Sequence, residues 1–329
     1  MKDINRIRAA YLAGTSYCGS TLLAFLLNSH PQIVSVGEAS LNRRSQKKKT
    51  SNYLCSCGIL LNSCEFWKEI FNMVSSVGFK FDMHNWTNDY KYKNDVLHRF
   101  LSTYPSNKMM RVFQIIAFHI MPFHKSRVKY TNAVNIAFMQ AAIKLAHAAV
   151  FFDTSKALMR LSYLVEIPEI DLKVVRVIRD VRAFANSYKS RGVPVECAAK
   201  HWRNYQLSAD YLLHTVPSNR VLVMRYEDFC HAPIVWLKNL HTFLGVQPCD
   251  PPEMINPDEH HIIGNHMRLQ KITAITANQS WQKKLTPTEI TRILQIAGDI
   301  NERFGYPPRI GEEVSHTYSV TSVLEERCL

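Results

Sequence analysis

The chain has 329 residues, of which 47% are hydrophobic and 20% charged, and this composition excludes a disordered or fibrous protein. Forty lysine and arginine residues against 27 aspartate and glutamate residues give a formal net charge of +13. Such an excess favours a polyanionic partner, which could be a nucleotide phosphate, a nucleic acid, an acidic polysaccharide or a membrane surface.

Neither the N-terminus nor the most apolar internal window is typical of a targeting or membrane segment. Charged and polar residues interrupt the opening stretch MKDINRIRAAYLAG, so no export signal is expected. The window 133–152 contains asparagine, glutamine, lysine and histidine, and it is too polar for a membrane span. The eight cysteines are few for this length, which indicates reduced thiols. We therefore expect a soluble, cytoplasmic protein.

The first predicted unit is a strand followed by a loop and a helix. Residues 6–13 form a short apolar strand that ends at Gly14, and a helix with leucines on one face begins near Thr21. A second strand is predicted over residues 32–38, after a His-Pro turn signal. Glu38 then stands at the carboxyl end of that strand.

The later part of the chain alternates between strands and helices. Strands are predicted over residues 148–156, 171–180 and 220–229, and helices over residues 180–192, 195–216 and 233–245. This alternation predicts an α/β fold whose central parallel sheet is flanked by helices. Ligands of such sheets bind beyond the carboxyl ends of the strands, where this chain carries Gly14 to Thr21, Glu38, Asp153 to Lys156, Arg179 and Glu227.

Residues 39–146 interrupt this pattern. They begin with a basic run, NRRSQKKK over residues 42–49, and a cysteine cluster, and from about residue 69 apolar residues recur at helical spacing. A charge run is usually a solvated loop, although this one could also dock an acidic acceptor. We predict a single domain over residues 1–329, with a largely helical insertion at 39–146 that contributes to acceptor binding.

The loop after the first strand, GTSYCGST, has the features of an anion cradle. Free backbone N–H groups at the start of a helix bind anions, and Gly19 allows the chain to approach a ligand closely. The alternative is an ordinary N-cap on a core helix. A nucleotide-binding P-loop would need lysine after its second glycine, but Ser20 follows Gly19, so metal-assisted ATP chemistry is disfavoured.

Arg179 and Ser187 form a second candidate anion site. Arg179 ends a predicted strand, and Ser187 follows eight residues later, about two helical turns along. The planar guanidinium and the hydroxyl could close on one phosphate. The alternative is a surface ion pair between Arg179 and Asp180 beside an unremarkable helical serine.

Four motifs, in this order, resemble the sulfotransferases that use 3′-phosphoadenosine 5′-phosphosulfate (PAPS). They are GSTLLAFLLNSHPQIVSVGE, DTSK, VIRDVRAFANSYKSRG and VLVMRYEDF, and the resemblance continues in GNHMR at 264–268 and in Trp281 with KLTPTE. The resemblance is to a bacterial branch of this family. Around the glycine-glutamate pair the chain is also similar to the tyrosylprotein sulfotransferases. The resemblance implies a three-layer, P-loop-kinase-like fold and PAPS as the sulfuryl donor.

The resemblance also implies roles for single residues. The 5′-phosphosulfate loop corresponds to Gly14, Thr15, Ser16, Tyr17, Cys18, Gly19, Ser20 and Thr21. The 3′-phosphate site corresponds to Arg179 and Ser187, and the proposed base of the family corresponds to Glu38. Arg225 and Glu227 correspond to a framework strand end.

The chain departs from the family at Tyr17, where the family usually has lysine or arginine to stabilise charge on the leaving phosphate. Tyrosine can donate one hydrogen bond but carries no charge near neutral pH. We therefore expect another cation to compensate. Lys156 in DTSK is the first candidate, and Arg160 and Arg268 are the next, with Arg268 also a candidate donor-binding residue.

Cys55, Cys57 and Cys64 supply three thiols, one fewer than a structural zinc site needs. The segment that carries them also resembles an insertion in the bacterial branch. No histidine lies between Cys57 and Cys64, so a zinc site would need a fourth ligand from elsewhere in the fold. We favour packed or redox-idle thiols and predict no metal, with zinc as the alternative. Three histidines, His260, His261 and His266, are interpreted as part of a polar lid over the donor.

The expected reaction is in-line transfer of a sulfuryl group to an acceptor hydroxyl or amine, with no metal required for the chemistry. The acceptor could be a small metabolite, a carbohydrate, a lipid or a peptide. A nucleic acid is disfavoured because no usual stacking motif appears. Two alternatives stay open, a nucleotide or small-molecule kinase with a degenerate P-loop and a non-catalytic nucleotide or anion binder. The sequence gives no oligomeric state.

Overall fold

The computed structural model describes residues 6–40, 53–90, 92 and 102–308. In these ranges five strands form one parallel sheet. The strands are β1 (Ile7–Gly14), β2 (Ile33–Gly37), β3 (Val150–Asp153), β4 (Ile170–Ile178) and β5 (Val221–Arg225), and their order across the sheet is β2-β3-β1-β4-β5. The expectation of an α/β fold with a central parallel sheet is confirmed. The basic run at 42–49 lies outside the described residues.

Eleven α-helices accompany the sheet in the described part of the chain. They are α1 (Ser20–Asn28), α2 (Glu65–Ser76), α3 (Lys108–Ile120), α4 (His124–Leu145), α5 (Leu158–Leu164), α6 (Val181–Lys189), α7 (Val195–Leu213), α8 (Tyr226–His231), α9 (Pro233–Leu244), α10 (Trp281–Lys284) and α11 (Pro287–Arg303). Helices α2 to α4 lie between β2 and β3, so the connection predicted to be helical contains three helices where it is described.

Alternation of side chains along β1 creates two cores, one on each face of the sheet. Tyr11 belongs to a buried cluster with Trp67 of α2 and Phe138 of α4. Its neighbour Leu12 belongs to a second cluster with Phe25 of α1. Because successive strand residues point to opposite faces, the sheet becomes the middle of three layers. A third cluster joins α6, α7 and α11 beside the end of β4.

The predicted strand over residues 220–229 is wrong in its second half. Strand β5 ends at Arg225, and residues 226–231 form helix α8. The Arg225 guanidinium donates two hydrogen bonds to Asp228, at 2.6 and 2.8 Å, which closes the first helical turn. Glu227 and Asp228 also lie in that first turn, where the helix dipole favours negative charge.

Helix α3 carries the most exposed apolar surface in the connection between β2 and β3. Phe113 is 65% exposed and Ile120 is 75% exposed. The helix has 13 residues and is therefore about 20 Å long, shorter than the roughly 30 Å hydrocarbon core of a bilayer. None of the described helices has the length and apolar character needed to cross a membrane.

Candidate active site

The loop between β1 and α1 is shaped by glycine at its last position. Gly19 occupies the N-cap of α1 with φ 83°, and it has no side chain to cap the first N–H groups of the helix. A Cβ at Gly19 would lie 2.5 Å from the ring of Tyr226, so the loop can pack here only with glycine. The nine-residue helix α1 therefore begins with backbone donors directed into the loop.

Lys156 connects this loop to the end of the neighbouring strands. Its Nζ donates to Ser20 Oγ at 3.1 Å and to the Thr154 carbonyl at 2.9 Å. It also forms an ion pair with Glu38, in which Nζ lies 2.8 Å from Oε1. Lys156 thus contacts two other predicted site residues, Ser20 and Glu38, which lie at opposite ends of the first quoted motif.

The segment that contains Ile263 and Gly264 crosses close to Glu38 at the open side of the site. The Glu38 N–H donates to the Ile263 carbonyl at 3.1 Å, and a Cβ on Gly264 would lie 3.1 Å from Glu38 Cγ. A Cβ on Gly37, where φ is 77°, would lie 2.2 Å from the Ile263 carbonyl oxygen, so only glycine permits this crossing. The side chain of Glu38 stays 30% exposed.

Backbone conformations of high energy concentrate at the same place. Three described residues other than glycine have positive φ: Tyr17 at 64°, Lys156 at 64° and His147 at 49°. Two of these three belong to the candidate site. Such conformations cost about 1–3 kcal/mol and persist where the surrounding structure enforces them, often at functional sites.

Arg179 contacts the loop directly, from the end of β4. Its Nη1 donates to the Tyr17 carbonyl at 2.6 Å, and its guanidinium carbon lies 5.0 Å from the centre of the Tyr226 ring. Ser187 lies on α6 and donates to the Ala183 carbonyl at 3.0 Å. Within the described ranges no hydrogen bond joins Arg179 to Ser187, so the structure places the guanidinium at the loop and the hydroxyl on the adjacent helix.

The Tyr17 ring packs against residues that follow Ser187. It meets the Tyr188 ring edge to face, with 5.5 Å between ring centres, and the Arg191 guanidinium carbon lies 4.9 Å from the centre of the Tyr17 ring. Burial raises the pKa of the Tyr17 phenol, against a smaller opposing effect of Arg191. Tyr17 is therefore a neutral hydrogen-bond donor. Sequence reasoning did not single out Arg191, although it lies in the quoted motif ending SYKSRG.

The other two candidate cations are engaged away from the loop. The Arg160 guanidinium, 1% exposed, binds Asp153 at 2.8 Å and the carbonyl of Asn88 at 2.6 Å. The Arg268 guanidinium binds the Leu54 carbonyl at 2.9 and 3.0 Å and the Gly264 carbonyl at 2.9 Å. Of the three candidates for the missing charge, Lys156 is the one that contacts the loop in the described structure.

Glu227, expected to be framework, is half-buried in the first turn of α8, just after β5 ends. It accepts a hydrogen bond from the Tyr306 hydroxyl at 2.5 Å and a long one from the Asp180 N–H at 3.3 Å. Burial, together with the nearby Asp180 carboxylate, raises the pKa of Glu227 to about 7. Its contacts connect β5 and α6 with the residues that follow α11, which fits a framework position.

The three clustered cysteines meet a histidine from a distant segment. The sulfur atoms of Cys55, Cys57 and Cys64 and a ring nitrogen of His261 all lie within 4.8 Å of one another. The sequence indicated the three thiols and assigned His261 to a lid, because no spacing rule connects residues about 200 positions apart. The structure supplies the fourth potential ligand that the cysteine segment lacked.

Comparisons with solved structures find sulfotransferase domains. The sulfotransferase domain of the olefin synthase of Synechococcus PCC 7002 is 20% identical, over 91% of this chain and 94% of that chain, with a TM-score of 0.50. The sulfotransferase domain of the curacin biosynthetic pathway is 16% identical over 91% and 97%, with a TM-score of 0.49. A sulfotransferase from Mycobacterium avium is 12% identical over 91% and 77%, with a TM-score of 0.44. No family model and no curated protein matches the chain.

The likeness to the olefin synthase domain establishes the fold. It extends over 91% of this chain and 94% of that chain. The fold that the sequence resemblance implied is therefore confirmed. At 20% identity this likeness concerns the fold and not the roles of individual residues.

Proposed function

We propose that the chain is a sulfotransferase that moves a sulfuryl group from PAPS to an acceptor hydroxyl or amine. The observation that carries the proposal is the position of Lys156. Its ammonium group contacts Ser20 of the anion loop on one side and Glu38 on the other, at 3.1 and 2.8 Å. A donor group held by the loop and an acceptor held near Glu38 would therefore meet at one cation.

The loop and Arg179 have the chemistry to hold the two phosphate ends of the donor. The backbone N–H groups at the start of α1, with Ser20 and Thr21, would bind the 5′-phosphosulfate, and Arg179 with Ser187 would bind the 3′-phosphate. Two buried polar atoms support this fit: Thr15 Oγ1 and Arg179 Nε have no hydrogen-bond partner among the described residues. Buried polar groups are usually satisfied, so unsatisfied ones at a site suggest a ligand.

Transfer breaks the bond from sulfur to the phosphate oxygen and forms a bond from sulfur to the acceptor oxygen or nitrogen. The acceptor proton passes to Glu38, a carboxylate that stays partly exposed at the mouth of the site. The leaving 3′-phosphoadenosine 5′-phosphate gains negative charge, which the ammonium group of Lys156 stabilises. Lys156 then supplies the charge that Tyr17 lacks, while the neutral phenol of Tyr17 packs the loop against α6.

The acceptor side of the site is bounded by Gly264 and by the chain that follows Glu38. We propose that the insertion at residues 39–146 contributes to acceptor binding. The chemistry at Glu38 requires only a nucleophile with a removable proton, so the acceptor classes stay those of the sequence analysis.

Binding of the donor product tests the first half of the proposal. The full chain is heated with 3′-phosphoadenosine 5′-phosphate, with ATP and Mg²⁺, or with neither. The adenosine bisphosphate should stabilise the fold, by about 2.7 kcal/mol at a hundredfold excess over its dissociation constant. A larger, Mg²⁺-dependent stabilisation by ATP would instead support a kinase.

Turnover tests the second half. Release of 3′-phosphoadenosine 5′-phosphate from PAPS is measured with a panel of acceptors and with water alone, which requires no knowledge of the natural acceptor. Glu38→Gln should keep the stabilisation by the product and lose about 10²- to 10⁴-fold in acceptor-dependent rate. Glu65→Gln, at an 87% exposed side chain, is the matched control and should keep full rate. Product binding without any turnover would indicate a non-catalytic binder.

A further inference from the structure

The four potential ligands at the start of α2 have the arrangement of a metal site, and we infer that Cys55, Cys57, Cys64 and His261 bind one structural Zn²⁺ ion. Each residue offers one ligand atom, and these atoms all lie within 4.8 Å of one another. Three thiolates and one imidazole form a Cys3His set, which is a standard structural zinc combination. This inference does not depend on the proposed sulfotransferase activity.

Three of the six distances between the ligand atoms lie close to those of a zinc tetrahedron, and the other three are within 4.8 Å. With zinc bonds of about 2.3 Å to sulfur and 2.0–2.1 Å to nitrogen, tetrahedral ligands lie about 3.8 Å apart for two sulfurs and about 3.5 Å for sulfur and nitrogen. The Cys57 and Cys64 sulfurs are 3.7 Å apart. His261 Nδ1 lies 3.4 Å from the Cys64 sulfur and 3.9 Å from the Cys55 sulfur.

The surroundings hold these ligands in position. The Phe66 ring stacks on the His261 imidazole with 4.5 Å between ring centres, and Trp67 Nε1 donates to the His261 carbonyl at 3.1 Å. The segment of the first two cysteines is turned by hydrogen bonds from Cys55 N–H to Ile59 at 2.8 Å and from Gly58 N–H to Cys55 at 3.1 Å. Fixed ligand orientations of this kind are typical of metal sites.

The set favours a structural ion over a catalytic one, and zinc over harder metals. Four protein ligands fill a tetrahedral shell, whereas catalytic zinc keeps one position open. Cys55 and Cys64 are 0% and 1% exposed. Thiolate and imidazole ligands suit zinc, whereas magnesium and calcium require oxygen ligands. The alternative, a disulfide, would need two sulfurs about 2.05 Å apart, whereas the Cys57 and Cys64 sulfurs are 3.7 Å apart.

The proposed zinc ion would hold the chain segment that borders Glu38. Two residues after His261, Ile263 donates to the Val36 carbonyl at 2.8 Å and accepts from the Glu38 N–H at 3.1 Å. The Ser56 hydroxyl donates to the His260 carbonyl at 2.7 Å and accepts from the Ile262 N–H at 2.9 Å. The metal therefore links the cysteine segment to the strand end that carries Glu38, and its role is to fix that wall of the site.

Metal analysis of the purified full chain tests the inference. Protein prepared under reducing conditions without chelator should contain about one zinc per chain, and Co²⁺ in its place should give the intense sulfur-to-cobalt charge-transfer absorption of a tetrahedral thiolate site. Cys64→Ser should lose most of the zinc. Cys197→Ser changes an exposed cysteine outside the cluster and should keep it. Full zinc content in Cys64→Ser would overturn the site.

Chelation of the wild-type chain keeps the test valid if Cys64→Ser fails to fold. A chelator should lower the melting temperature, and Zn²⁺ but not Mg²⁺ should restore it, because binding to the folded state stabilises it. Wild-type protein that stays metal-free after incubation with Zn²⁺ would refute the inference. A mass lower by two hydrogens, from a disulfide between two of these cysteines while the other cysteines are reduced, would refute it as well. Neither outcome bears on PAPS binding, so the two proposals fail separately.

Discussion

Two ion pairs lie where β3 leads into α5, and they differ in how much of their side chains is exposed to water. Asp153 and Arg160 are each 1% exposed. Lys156 and Glu38 are 13% and 30% exposed. The first pair lies inside the core between the sheet and α4, whereas the second opens toward the anion loop.

The difference in exposure distinguishes an ion pair that holds the fold from one that a ligand could reach. The Arg160 guanidinium donates to Asp153, to the carbonyl of Asn88 and to the side-chain oxygen of Asn135, all at 2.6–2.8 Å, so each of its three nitrogens already binds a protein oxygen inside the core. Lys156 sits in a strained backbone conformation beside Ser20 and near solvent. A charge that is accessible and held under strain can serve a substrate, whereas a buried and saturated one can only hold the fold.

The largest effect is expected from breaking the buried pair. Arg160→Met preserves much of the side-chain volume but leaves the Asp153 carboxylate buried without its cation, which should cost about 3–5 kcal/mol of unfolding free energy. Denaturant unfolding measures this. The control is Arg292→Met, whose exposed pair with Glu196 should contribute less than about 1 kcal/mol. Equal losses in the two variants would remove the distinction between framework and functional pairs.

The accessible pair should affect rate rather than stability. Lys156→Met keeps the Cβ and the backbone conformation but removes the charge, and it should lower kcat by about 10²- to 10³-fold with little change in melting temperature. Lys68→Met, on the exposed face of α2, is the control and should keep wild-type kcat. Wild-type kcat in Lys156→Met would exclude this lysine as the replacement for the missing loop cation.

Glu227 extends the comparison to a half-buried carboxyl group whose partners are a hydroxyl and a backbone N–H, and its contribution to stability should depend on pH. Its folded pKa of about 7 exceeds the ordinary value of 4.5, so the folded state binds more protons between these values and stability falls as pH rises through that window. The whole shift corresponds to roughly 3 kcal/mol. The free energy of unfolding of Glu227→Gln should therefore match that of the wild type near pH 4 and exceed it by about 1–3 kcal/mol near pH 8.

Thermal unfolding at the two pH values measures this difference. Glu65→Gln, at an exposed position, should show no such pH dependence. A Glu227→Gln effect of equal size at pH 4 and pH 8 would contradict the raised pKa and point to a lost hydrogen bond with Tyr306 instead.

The strands and the loop were predictable because their signals are local. Strand β4 was expected over residues 171–180 and is found at Ile170–Ile178, since a run of valine and isoleucine between polar turns has few alternatives to a buried strand. Helix α9 was expected over 233–245 and ends at Leu244, before Gly245 with φ 74°. The error at residues 226–231 arose because a helix of six residues has too few turns to show a period.

The site was only partly predictable. Glu38, Lys156 and Arg179 were found because strand ends of a parallel sheet converge at one edge. The packing of Arg191 on Tyr17 and the approach of His261 to the cysteines could not be found in this way. Both contacts depend on how a helix end or a distant segment packs against another part of the fold. Sequence periodicity reports only local structure and does not predict such packing.

The sequence by itself determined the parallel α/β sheet and the candidate residues at the strand ends, because hydrophobic periodicity and glycine positions act over a few residues. The absence of a loop cation at Tyr17 was inferred from the resemblance to the sulfotransferase family. Only the tertiary structure decided that Lys156 contacts the loop while Arg160 is buried with Asp153, and that His261 completes the cysteine cluster. The physical reason is that burial and contact depend on the packing of elements far apart in the chain, and these in turn decide which charges reach a ligand.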